Sequence, residues 1–181
     1  MHTDSHKDRP PASTAPTMDD DTVEFFRQVF NLVREGDAGR LDGLIAQGLP
    51  VNVRNDKGDS LIMLASYHGQ LDSVRVLLQA GADPNIANDQ GQTPLAGVAY
   101  KGYLEIAKLL LAHGAAVDGN SPDGKTPLML AAMFNRVDIL HLLLAHGALV
   151  DAVDSRGMTA HSLAQTMKAT LTLAALAALN D

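Results

Sequence analysis

The sequence contains no cysteine, and this absence excludes disulfide bonds, a thiol nucleophile and thiolate metal ligands. A chain without disulfides suits a reducing compartment, so we expect the protein in the cytoplasm. The chain also lacks any run of about 18 apolar residues, which predicts that no helix spans a membrane. The first residues, MHTDSHKDRPPASTAPTMDDD, include no apolar core of a secretory signal.

Basic residues are few and scattered. The chain has 14 Lys and Arg against 21 Asp and Glu, which gives a formal net charge of −7. Because nucleic-acid affinity rests largely on clustered Lys and Arg, this balance argues against a nucleic-acid partner. Motifs of common catalytic and nucleotide sites are absent too, including GxSxG, the Walker loop, HExxH and GxGxxG after a strand. We therefore expect no catalytic residue, no metal ligand and no cofactor.

Glycines recur instead, at a constant spacing of 33 residues. The constant spacing predicts a chain built from repeated structural units, because chance would not place several sets of glycines in one period. Three sets share it: Gly58, Gly91, Gly124 and Gly157; Gly48, Gly81, Gly114 and Gly147; and Gly36, Gly69 and Gly102, with Asn135 next in line.

One unit, residues 88–116, predicts two short helices. Thr93 is a good N-cap and Pro94 suits the first helical position, so a first helix begins at Pro94. A second, more apolar helix runs from Leu104 to Gly114. Gly114 fits the left-handed position that closes a helix. We expect His113 to cap the free carbonyls of that last turn rather than to bind metal.

Two short motifs recur at this period. They are Thr-Pro-Leu at Thr93-Pro94-Leu95 and Thr126-Pro127-Leu128, and Leu-Leu-x-x-Gly-Ala at Leu77 to Ala82, Leu110 to Ala115 and Leu143 to Ala148. The period and these motifs resemble those of the ankyrin repeat. The resemblance implies an all-α repeat solenoid, an ankyrin-like stack of helix-turn-helix units joined by β-hairpin-type loops. A helix pair this short cannot bury its apolar face alone, so each unit has to stack on its neighbours.

The period also divides the chain. We expect the polar, proline-containing segment 1–21 to be a disordered tail and 22–181 to be one repeat domain. The first copy carries Phe25, Phe26 and Phe30, which predicts a unit that caps the end of the stack. The truncated last copy should close the other end. The expected copies are 22–54, 55–87, 88–120, 121–153 and 154–181, about three full repeats between two capping repeats.

The middle copy departs from its neighbours at Gly97, where the other copies have Leu64, Leu130 and Leu163. Glycine inside a helix costs about 1 kcal/mol relative to alanine, before lost packing is counted. We expect this repeat to be locally soft, with Val98 refilling part of the space.

Aspartates are common after the Gly-Ala pairs. Asp83, Asp118 and Asp151 are predicted to bond the turn backbone there, as Asx side chains do, rather than to act as general acids or bases.

The resemblance also implies a binding surface, because partners of ankyrin repeats commonly contact the hairpin tips and the exposed side of the first helices. Tyr67, Tyr100 and Met133 share one position of the period, so they should form a row across three repeats. The alternative is that these side chains pack between neighbouring first helices. The candidate tip residues are Asp56, Lys57, Asp59, Asp89, Gln90, Gln92, Asp123, Lys125, Arg156 and Met158, and the helix residues are Tyr67, His68, Tyr100, Lys101, Met133 and Phe134.

These observations predict a non-catalytic, monomeric module that binds a protein partner through the concave surface of the solenoid. We expect neither nucleic acid nor membrane as a partner. Two alternatives stay open: a metal-dependent regulator or small enzyme with a site formed across repeats around His68, and a host-directed effector on the same scaffold. A shift in melting temperature on adding a divalent metal would support the first alternative.

Overall fold

The computed structural model describes residues 19–179, which form ten helices. Most of the predicted tail, residues 1–18, lies outside the described residues, and so do residues 180 and 181. The helices are α1 Asp20–Glu35, α2 Ala38–Ala46, α3 Leu61–Tyr67, α4 Leu71–Gln79, α5 Pro94–Lys101, α6 Leu104–Ala112, α7 Pro127–Met133, α8 Val137–Ala145, α9 Ala160–Thr166 and α10 Thr170–Ala177.

The helix ends predicted from the sequence are confirmed in the middle copy. Helix α5 begins at Pro94, and the Thr93 hydroxyl accepts a hydrogen bond from the Ala96 amide at 3.3 Å. Helix α6 ends before Gly114, whose φ of +87° is left-handed. Nδ1 of His113 donates to the Leu109 carbonyl oxygen at 2.9 Å, which is the capping role expected of this imidazole.

The helices stack by type. The first helices of successive copies, α1, α3, α5, α7 and α9, pack against one another in that order, and α2, α4, α6 and α8 form a second layer. The core lies between the two layers, and Leu61, Leu77, Leu95 and Leu110 are fully buried there. Within residues 19–179 the structure contains helices and no strand, which confirms the all-α repeat solenoid. None of these helices has both the length and the apolar character that crossing a bilayer requires.

Gly102 and Asn135, each between the two helices of a copy, contact the copy that follows. Gly102 has φ +93°, and a Cβ there would lie 3.0 Å from the Arg136 side chain of the next copy, so both the backbone and the close approach of Arg136 favour glycine. Asn135 takes the equivalent position with φ +57°. Its side-chain oxygen accepts hydrogen bonds from the Leu171 and Thr172 amides, at 2.9 and 3.1 Å, and so caps α10.

The turns after Gly-Ala carry a second set of contacts between copies. Side-chain oxygens of Asn52, Asn85 and Asp118 each accept a hydrogen bond from a backbone amide 31 residues later, at 2.9, 2.7 and 3.1 Å. The prediction for Asp118 is therefore confirmed, with the amide supplied by the next copy. Asp83 lies two residues ahead of this position in the period, and it accepts from the Asn85 amide within its own turn at 2.9 Å.

The hairpin tips are held by a third repeated position. Oδ1 of Asn55, Asn88 and Asp154 each accepts the backbone amides two and four residues later, at 2.9 to 3.1 Å. Adjacent tips are also joined directly, since the Asp89 amide donates to the Lys57 carbonyl oxygen at 3.1 Å. The tips therefore form a connected rim.

The two end copies differ in how they cover the stack. Asp19 caps α1, whose inner side buries Val29, Phe30, Leu32 and Val33. Helix α10 packs on α7, α8 and α9, but leaves the apolar side chains of Leu171 and Leu179 exposed.

Candidate functional site

Two cavities lie side by side between the first helices and the hairpin tips. The first, of about 440 Å³, is mainly apolar and lies between α5 and the tips of the third and fourth copies. The second, of about 490 Å³, is polar and lies beside it towards α1. The two share the side chains of Met63, Tyr67, Gln90 and Gln92, so they form one continuous groove. We call them the apolar cavity and the polar cavity.

Gly97 forms part of the wall of the apolar cavity. A Cβ at this position would lie 3.5 Å from Cδ2 of Tyr67 and 4.0 Å from Cε of Met63, so a methyl group fits there at ordinary contact distance. Leu64, Leu130 and Leu163 occupy the same position in three other copies. Val98 is completely buried in the core and does not line the apolar cavity. The expectation that Val98 refills the space is therefore wrong, and the missing leucine leaves a groove open to solvent.

The predicted row of first-helix side chains divides into exposed and half-buried members. Tyr67 and Tyr100 are each 38% exposed and line the apolar cavity. Phe134 is half-buried and meets Tyr100 edge to face, with the ring centroids 4.5 Å apart. Met133 is half-buried against the core. The two tyrosines thus offer contact surface, while Met133 and Phe134 pack between the helices as the alternative interpretation describes.

Two cationic or titratable side chains, Arg34 and His68, line the helix side of the polar cavity, and Lys101 lies next to it over the Tyr67 ring. Nζ of Lys101 lies 4.3 Å from the centroid of the Tyr67 ring, a cation–π arrangement between consecutive copies. Arg34 lines the polar cavity beside His68. Within residues 19–179, neither Arg34 nor Lys101 forms an ion pair with a carboxylate.

The surroundings of His68 affect its pKa. Partial burial lowers the pKa of His68, and the positive charges of Arg34 and Lys101 lower it further. Carboxylates do approach from the hairpin side, where Asp56 and Asp59 line the same cavity. Asp59 already accepts hydrogen bonds from the side-chain amides of two asparagines, at 3.2 and 2.9 Å.

The tip of the fourth copy carries a tightly held carboxylate. Asp123 accepts hydrogen bonds from Lys125 and from the Ser121 hydroxyl, and these lower its pKa to about 2. Lys125 also lies 3.9 Å from Asp154, whose carboxylate is enclosed. The backbone amide of Met158 is the main cause of the lowered pKa of Asp154. The ion-paired charges at this end of the groove therefore leave little net charge.

The cavities bring together ten of the sixteen predicted site residues. The other six lie outside the lining of the two cavities, and two of them are used within the fold, since Asp89 pairs with Arg54 and Arg156 pairs with Asp154. The ten are Asp56, Lys57, Asp59, Tyr67, His68, Gln90, Gln92, Tyr100, Asp123 and Lys125, and the six are Asp89, Lys101, Met133, Phe134, Arg156 and Met158.

The predicted site residues do not include Arg34, Met63 or Gly97, which all shape the groove. Arg34 lies 33 residues before Tyr67, so extending the row by one period into the first copy would have found it. Gly97 was noted for its cost to the helix, whereas its position in the period also predicts a gap on the helix surface. Among the side chains described, no group of three or more His, Cys, Asp and Glu is placed to hold a metal ion.

Comparison with known proteins agrees with this architecture. The family model described as "Ankyrin repeats (3 copies)" matches residues 30–121, 62–154 and 98–177, which together cover most of the chain. The chain belongs to the ankyrin repeat family. A segment of 64 residues is 56% identical to a putative ankyrin repeat protein of Pseudomonas aeruginosa, and it covers 35% of this chain and 37% of that relative. Ankyrin repeats are generally non-enzymatic modules of protein–protein interaction.

Proposed function

We propose that this chain is a non-catalytic binding module that holds a protein partner in the groove between its first helices and its hairpin tips. The observation that carries the proposal is the pair Tyr67 and Tyr100, exposed side by side along a cavity of about 440 Å³. Tyrosine beside a concave apolar surface is a common anchor of protein interfaces, because it buries a large area at a low cost in conformational entropy.

The groove is also held in place by the fold. The tips are tied by Asx turns and by hydrogen bonds between neighbouring tips, such as the one from the Asp89 amide to the Lys57 carbonyl oxygen. The ring of Tyr67 is fixed from above by Lys101 and that of Tyr100 from the side by Phe134. A rigid surface loses little conformational entropy on binding, which favours affinity.

The test is capture of a partner by the full chain and by a Tyr67→Ser, Tyr100→Ser double variant. Both side chains are substantially exposed, so we expect the variant to fold, which circular dichroism and a melting curve would check. A protein retained by wild type and lost by the double variant supports binding in the groove. Equal retention by both chains would contradict it.

The matched control replaces two exposed side chains with serine elsewhere on the stack. Arg75 and Lys108 are exposed on second helices, away from the groove lining. An Arg75→Ser, Lys108→Ser double variant should retain the partner at the wild-type level. Under the same proposal the protein works as a monomer in the cytoplasm, and sedimentation of the purified chain would test its state.

A further inference from the structure

The groove contains a space that the repeat pattern does not require. Gly97 lines the apolar cavity, and Leu130, at the same position of the next copy, lines it too, so we expect a leucine at position 97 to extend into this cavity. The backbone of Gly97 is ordinary helix without a positive φ, so no conformational constraint demands glycine. The cavity is therefore a vacancy of leucine size or more, bordered by two tyrosine rings.

The helix side of the neighbouring polar cavity is cationic, although the chain has a net charge of −7. Arg34 and His68 line that side, and Lys101 lies over the Tyr67 ring that borders the cavity. Asp56, Lys57 and Asp59 line the opposite, hairpin side, where Asp59 is already held by hydrogen bonds from two asparagine side chains. In the part of the chain that the structure describes, the guanidinium of Arg34 donates to the Asn31 side chain at 2.8 Å and forms no ion pair. Unpaired cations that repel one another are the complement of a carboxylate.

We propose that the groove binds an extended acidic peptide, with a bulky apolar side chain in the cavity at Gly97 and a neighbouring Asp or Glu beside Arg34 and Lys101. The proposal rests on the groove function above and names its ligand. Met63 and Tyr67 border both cavities, so the apolar and acidic side chains belong within a few residues of each other. Burial of the apolar side chain supplies affinity, and the two cations favour peptides that carry an acidic residue beside it.

The hairpin tips supply the polar edge that an extended backbone needs. Gln90 and Gln92 are exposed and line both cavities, so their side-chain amides face the path of such a peptide. At the far end of the apolar cavity, Asp123 and Lys125 are paired with each other and add little net charge. The acidic residue is therefore placed on the α1 side of the anchor rather than on the α7 side.

The probe is a phage-displayed library of random linear 12-residue peptides, selected on the purified full chain. Enriched sequences should pair a Leu, Phe, Tyr, Trp or Met with Asp or Glu within about four positions. A synthetic peptide from the selection is then titrated by fluorescence anisotropy. No enrichment, or enriched sequences without an acidic residue, would overturn the proposal.

Three variants test the two halves of the site separately. Gly97→Leu fills the cavity with the residue of the other copies, so it should preserve or raise the melting temperature and weaken the selected peptide at least tenfold. Arg34→Gln with Lys101→Gln should weaken the acidic peptide and abolish its preference over the same peptide with Asp or Glu replaced by Asn or Gln. Arg75→Gln, a cation on a second helix, is the matched control and should leave the affinity unchanged.

The variants also separate this proposal from the function on which it rests. If the captured protein is lost by the tyrosine double variant but retained by Gly97→Leu, the groove remains the binding surface. The apolar cavity is then refuted as the anchor point. A captured protein retained by all groove variants refutes both. Unchanged affinity of the selected peptide for Gly97→Leu likewise refutes the cavity as its anchor point.

Discussion

The ammonium group of Lys101 lies 4.3 Å from the ring centroid of Tyr67, although the two residues belong to different copies of the repeat. The same lysine lies 5.5 Å from the ring centroid of Tyr100. One cation thus spans the two exposed rings of the groove and holds both in place. The arrangement contributes about 0.5–1 kcal/mol at an exposed site. Its main effect is therefore to order these surface side chains rather than to stabilise the fold.

Gly97 gives the first prediction. Replacing it with alanine should raise the free energy of unfolding by about 1 kcal/mol, because alanine restricts the unfolded chain and its methyl group meets Tyr67 and Met63 at ordinary contact distance. For a chain of this size, this corresponds to a rise in melting temperature of about 2–4 °C.

Gly43 provides the control for that measurement. It lies inside α2 with nothing within 4 Å of an added Cβ, so Gly43→Ala reports helix propensity alone. Gly97→Ala should stabilise the chain at least as much as Gly43→Ala. A fall in melting temperature for Gly97→Ala alone would show that the fold needs glycine at this position.

Asn135 gives the second prediction, because it combines a left-handed backbone with a helix cap. Asn135→Gly keeps the backbone conformation and loses the acceptor for the Leu171 and Thr172 amides. We expect a loss of about 1 kcal/mol in urea unfolding. Asn135→Ala should lose more, since alanine also disfavours a φ of +57° by about 1–2 kcal/mol.

The two Asn135 variants should also differ from wild type in local order. Amide hydrogen exchange should quicken in α10 and leave α5 and α6 unchanged, because Asn135 lies between α7 and α8 and caps the first turn of α10. Equal stability of Asn135→Gly and wild type would mean that the cap contributes nothing.

The third prediction concerns Asp154 and acid. Its lowered pKa means that its ionised form stabilises the fold above the unfolded pKa of about 3.9, and that this contribution is lost as the pH falls through the lower folded value. Asn55 and Asn88 hold the same turn without a charge, so Asp154→Asn should preserve the turn. The variant should be less stable than wild type at pH 7 and lose less stability below about pH 4.

Melting curves of both chains from pH 7 to pH 2.5 would measure this difference. Asp123 also has a lowered pKa, but it is present in both chains and its contribution cancels in the comparison. Parallel curves for wild type and Asp154→Asn would contradict the role assigned to the carboxylate.

The sequence predicted the backbone better than the groove. Thr93, Pro94 and Gly114 determine helix ends through their own hydrogen bonds and dihedral angles, so their roles follow from local chemistry. The turn prediction put Asp83, Asp118 and Asp151 in one register, but Asp83 lies two residues ahead of it and bonds the backbone within its own turn. Counted by the period, the position belongs to Asn52, Asn85 and Asp118.

The groove could not be read from one copy, because its walls come from four. The apolar cavity combines a gap in α5 with a ring from α3 and a tip of the fourth copy. The period places Tyr67, Tyr100 and Met133 in one row but leaves their χ angles open. The rotamer that brings Phe134 onto Tyr100 likewise depends on packing between copies.

The fourth prediction concerns His68, which faces Arg34 from α1 and Lys101 from α5, with Asp56, Lys57 and Asp59 across the cavity. The pKa of His68 in the folded chain is lowered below the ordinary histidine value of about 6.5, so the unfolded chain binds this proton more readily. Stability is therefore lost as the pH falls from about 6.5 through the folded pKa, and His68→Asn should remove that loss. The melting temperatures of the two chains should change in parallel above pH 7. They should separate between pH 6.5 and 5, where the melting temperature of wild type falls more steeply.

An acidic peptide in the polar cavity should have the opposite effect on the pKa of His68, because its carboxylate favours the protonated imidazole. Wild type alone should therefore bind the peptide more tightly at pH 5.5 than at pH 7.5.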